Sequence, residues 1–127
     1  MARVSERGAA AVEFALVAPI LVLLLLGIME FGRAYNAQVA LTNAAREGVR
    51  VMAISNDQTA AKTAAKNAAI SLNPKLQDTN FVFTPASCPP NTSGTQMSVT
   101  INYTLSTLTG IAGPFAMQGV GVMVCSG

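Results

Sequence analysis

The chain has 127 residues, 51% of them hydrophobic and 11% charged, with a net charge of +2. That length suits one small domain, the scarcity of charge points to a membrane, and the small basic surplus argues against nucleic acid as a partner. With no histidine, no tryptophan and two distant cysteines, zinc sites and His-dependent catalysis lose their usual groups, and no metal, cofactor or catalytic role is expected.

In chain order, the first element is the apolar run Ala9 to Met29, interrupted by Glu13 and Pro19. As a helix it would extend about 31 Å, close to the hydrocarbon thickness of a bilayer, so a single span is predicted. Arg3 and Arg7 precede it, whereas Arg33, Arg46 and Arg50 follow more sparsely, and this bias favours an N-terminus inside. Gly32-Arg33-Ala34 makes a poor signal-peptide cleavage site. Pro19 lacks a backbone N–H and predicts a helix kink, either neutral or used in assembly. A carboxylate inside an apolar segment is costly unless compensated. Glu13 is therefore either hydrated near the headgroups or met by a positive group when chains assemble.

The string Arg7-Gly8-Ala9-Ala10-Ala11-Val12-Glu13-Phe14 resembles the processing site of type IV prepilins. The resemblance implies cleavage by a prepilin peptidase after Gly8, a new N-terminus at Ala9, and Glu13 as the assembly carboxylate. A free α-amine has a pKa near 8, so its cation could neutralise a neighbour's carboxylate.

From Phe31 to Ile54 there is no proline, and Ala37, Leu41, Ala44, Gly48 and Val51 recur along one helical face, with Gln38, Thr42, Arg46 and Arg50 opposite. Ala40, Ala44 and Gly48 are small-residue steps that let another helix or a sheet approach closely. The wider succession Val12-Glu13-Phe14-Ala15-Leu16-Val17, Pro19, Gly27-Ile28-Met29-Glu30-Phe31-Gly32-Arg33 and Leu41-Thr42-Asn43-Ala44-Ala45-Arg46-Glu47-Gly48-Val49-Arg50 resembles the TadE-like family, pilin-like components of the tight-adherence (Tad, or Flp) pilus machinery. The resemblance covers Arg7 to about Ala53. It implies a non-catalytic pilin or pseudopilin in the bacterial cytoplasmic membrane, with its head outside. Its implied partners are prepilin peptidase, other pilin or pseudopilin subunits and the Tad assembly platform.

Ser55 with Gln58 suggests a capping box for a second helix reaching about Leu72, before Asn73-Pro74. Lys62 and Lys66 on it read as a solvated face. Strands are predicted at Asn80 to Thr84, at Met97 to Leu105 with clear alternation, and at Gly119 to Cys125 with Val120, Val122 and Val124 on one face. The alternating faces are expected to be buried by a small antiparallel sheet lying on the helices. Cys88 and Cys125, with an even count in an exported segment, suggest one disulfide, the alternative being two free thiols. Asn91-Thr92-Ser93 and Asn102-Tyr103-Thr104 match a glycosylation pattern that a pilin-like source would make incidental.

The expected architecture is α+β: a long N-terminal pilin-like transmembrane helix, a second helix and a small antiparallel sheet forming a head. It divides into a leader (1–8), a membrane part (9–29), an extracytoplasmic continuation of the helix (30–54) and the head (55–127). The competing reading is an ordinary single-span protein whose exported head binds an extracytoplasmic ligand.

Overall fold

The computed structural model describes residues 2–90, 94–110 and 113–125, with side chains described from Glu6 onward. Helix α1 covers Ala2–Ser55 and continues through Pro19. By contact density the chain forms two units, one ending at Arg33 and one starting at Ala34.

Among the described residues of the first unit the large apolar side chains are mostly exposed. Phe14 is 74% exposed, Leu16 68% and Leu25 62%, and the most apolar stretch has a mean hydropathy of 2.6 with none of it buried. A helix that is apolar all round and unburied suits lipid rather than water. This long apolar N-terminal helix fits a single-pass membrane protein.

The second unit has its own core. The α1 segment from Ala34 contributes Ala37, Leu41, Ala44, Ala45, Val49 and Met52, all buried. Val51, expected on that stripe, is only partly buried against the core; the inward face passes instead through Val49 and Met52. The helix stops at Asn56, whose φ of 52° is left-handed, a conformation asparagine tolerates better than most residues. The Asn56 N–H donates to Met52 O at 2.9 Å.

Helix α2, Gln58–Ala68, is capped by Asp57 rather than Ser55. Asp57 Oδ1 accepts from the N–H groups of Thr59 at 2.9 Å and Ala60 at 3.3 Å, whereas the Ser55 hydroxyl donates back to Val51 O. The aspartate stands at the position from which a side chain reaches the first free amides. The helix also ends earlier than expected: Ala69 is its C-cap, and buried Leu72 and Leu76 belong to the connection that follows.

The sheet has the order β1-β2-β3 and is antiparallel throughout. Strand β1 is Phe81–Thr84, β2 Gln96–Leu105 and β3 Phe115–Val124. Asn80, expected in the first strand, ends a 3-10 turn, and its side chain donates to Asn102 O at 2.8 Å. Strand β3 begins at Phe115, four residues before the expected start, and pairs along the whole of β2 from Leu105↔Phe115 to Gln96↔Val124.

The faces of β3 correct the sequence reading. Val120, Val122 and Val124 point outward and are about half exposed, while Gly119 and Gly121 are the buried residues. A Cβ on Gly119 would lie 2.5 Å from Leu41 O, and one on Gly121 2.5 Å from Ala45 O. The backbone of α1 rests directly on these glycines, so the face that carries them turns inward, with Met117 packed against the core, and the valines are left outside. Met97, Val99, Ile101, Tyr103 and Leu105 of β2 complete the core.

Candidate functional site

Gly8, Ala9 and Glu13 lie on α1, and all three are exposed. Nothing stands within 4 Å of where a Cβ on Gly8 would be, so the flank of the Gly8–Ala9 bond is open. Glu13 sits one helical turn after Ala9, on the same face. Pro19 is exposed on the same helix and supplies no N–H to the carbonyl of Ala15. Gly8 also has a low helix propensity, about 1 kcal/mol less favourable than alanine within a helix.

At the far end of the apolar run, Glu30 is buried and its Oε2 lies 4.0 Å from Arg33 Nη1. This pair was not singled out from the sequence, although its i,i+3 spacing was visible there. Ala44 is fully buried and Ala40 partly so. Gly48 meets α2, where an added Cβ would lie 3.3 Å from Ala65 Cβ and 3.6 Å from Ala61 O. The three small residues thus lie on the packed face of α1 within the head.

Cys88 and Cys125 form a disulfide, with Cα atoms 5.9 Å apart. It ties the loop after β1 to the residue after β3. Asn56 holds the same loop by a double contact, accepting from Cys88 N at 2.7 Å and donating to Cys88 O at 3.3 Å. No local pattern marks Asn56 for this role, because its partner lies 32 residues away.

The lysines of α2 are not simply solvated. Lys66 Nζ pairs with Asp78 Oδ1, and Lys62 Nζ stands 6.0 Å from the centre of the Phe83 ring. The hydrogen bond and charge of Lys66 hold the Asp78 carboxyl below the usual aspartate range, with Lys62 adding to the effect. Asn102 lies in β2 and accepts from Gln118 Nε2 at 3.0 Å; Asn91-Thr92-Ser93 lies outside the described residues. Among the described residues no three His, Cys, Asp or Glu side chains group to hold a metal ion.

No curated protein and no solved structure matches the chain. Residues 8–50, which carry Gly8, Glu13, Pro19 and the small-residue face of α1, match the family model described as TadE-like protein.

Proposed function

We propose that the chain is a pilin or pseudopilin, made as a membrane precursor and used in assembling a tight-adherence pilus. The observation that carries the reading is the run Gly8, Ala9 and Glu13 at the head of an exposed apolar helix, inside the segment that matches the TadE-like model. A prepilin peptidase would cut after Gly8 and leave a cationic amine on Ala9. Until assembly the apolar helix stores the subunit in the bilayer, N-terminus inside and head outside. On assembly the same surface exchanges lipid contacts for contacts with neighbouring helices.

Glu13 has a specific part in that exchange. A carboxylate entering a helix bundle needs a positive partner, and the neighbour's new amine supplies one only at one axial register. The processed chain also carries its own amine one turn from Glu13, so before assembly the pair can be satisfied within one subunit. The energy for extraction comes from other components, since the sequence has no Gly-x4-Gly-Lys-Ser/Thr phosphate loop.

Glu13→Gln separates assembly from anchoring. It removes the ion while nearly keeping the shape, and it lowers the cost of insertion by up to about 3 kcal/mol at the bilayer centre. In the native host, with expression and processing matched, the variant should stay in the membrane fraction and fail to enter sheared pili or the assembly complex. Normal assembly and adherence would refute the paired-charge role and leave Glu13 as a hydrated interfacial residue.

A further inference from the structure

Strand β3 ends the sheet on one side, and its hydrogen bonds show which backbone groups it leaves unpaired among the described residues. Cys125 N donates to Thr95 O at 2.8 Å, so odd-numbered residues of this strand turn toward β2. Even-numbered residues turn outward: Asn102 O is used on the β1 side by Asn80, and Gln118 O, opposite it, accepts from Gln38 at 2.9 Å. Val120, Val122 and Val124 therefore present both their amide groups and their exposed side chains at the edge. The ten residues of β3 contain no charge and no proline. Those are the usual devices that keep an edge strand from pairing.

A cleft of about 620 Å³ opens beside this edge, lined in part by Asn43, Arg46, Glu47, Arg50, Val122 and Met123. Arg50 Nη1 lies 3.3 Å from Glu47, with 60% of its side chain still exposed, and Arg46 is exposed. Two cations and one carboxylate leave the cleft positive. A strand laid along β3 would alternate its side chains between the outer valine face and the side of this cleft.

We infer that the β3 edge is a docking site for an extended segment of a different polypeptide, with apolar and acidic residues at alternating positions. Backbone bonds to Val120 and Val122 supply the affinity, and the acids facing Arg46 and Arg50 supply the selection. A second copy fits poorly, because none of the three strands carries an acidic residue. Of the other carboxylates in the head, Asp57 caps α2 and Asp78 pairs with Lys66. The inference stands on the head alone and is independent of processing at Gly8.

The test uses the full chain in detergent with its disulfide intact, and end-blocked peptides of four Val-Glu or four Val-Lys repeats as probes. Amide exchange at Val120 and Val122 should slow with the Val-Glu peptide, which should bind about ten-fold more tightly than Val-Lys. Arg46→Glu with Arg50→Glu should invert that preference. Val122→Pro removes an outward N–H that β2 does not use, so it should abolish binding while β2 amides stay protected. Equal affinity for the two peptides, or binding that survives Val122→Pro, would overturn the inference. So would concentration-dependent protection of the same amides without peptide, which would place a second copy at the edge.

Discussion

Asp78 shows what a single exposed contact contributes and when. Its carboxyl is held below the ordinary value by Lys66, so the folded state favours the charged form more than the unfolded chain does. The resulting stability is present above the unfolded pKa near 4 and is lost as the pH falls through the lower folded value. Asp78→Asn should therefore lower the denaturant midpoint of the head at about pH 6, and parent and variant should converge near pH 2. A constant difference across that range would mean that the aspartate acts through something other than its charge. The aspartate was present in the sequence, but its pairing with a lysine 12 residues away depends on how the connection after α2 folds back. The same limit hid Asn56, whose partner Cys88 comes from a distant loop. Asp57 was legible by the ordinary N-cap rule, and Ser55 drew attention from it only because of the glutamine three positions on.

At the scale of elements, periodicity carried most of the information. The alternation in β2 and the long apolar run of α1 were both readable, the first from its period of two and the second from its length. β3 misled because its apolar face is not its buried face. Gly119 and Gly121 admit the α1 backbone at a distance no larger residue permits, and close backbone approach overrides the tendency of valine to be buried. Gly121→Ala should accordingly cost about 1–3 kcal/mol through overpacking, with the helix forced off the strand. Gly48→Ala meets a milder 3.3 Å contact, and alanine gains about 1 kcal/mol of helix propensity, so that variant should remain within about 1 kcal/mol of the parent. Native-state hydrogen exchange of the β2 amides measures both. Equal losses would mean that the strand glycines are not the tighter constraint.

For the whole molecule, membrane attachment and the integrity of the head rest on different segments. The disulfide closes a sequence separation of 37 residues, for which chain-entropy arguments give about 4 kcal/mol. Cys88→Ala with Cys125→Ala should lower the stability of the head by that order, leaving membrane retention unchanged. Protease sensitivity of the head and carbonate extraction of membranes read the two effects separately, and loss of retention would contradict their independence. The α+β class was legible because each segment announces its own period, and the candidate span because its long apolar run stands unburied. The unpaired edge beside the arginines was not, since it arises from which strand ends the sheet.

The central claim, that this is a processed pilin-like subunit, is tested most directly by the N-terminal sequence of the protein purified from its native host. The account predicts a mature chain that begins at Ala9, and accumulation of the unprocessed form when Gly8 is replaced by valine. A mature chain that still carries Arg3 and Arg7 would contradict it and leave an ordinary membrane anchor.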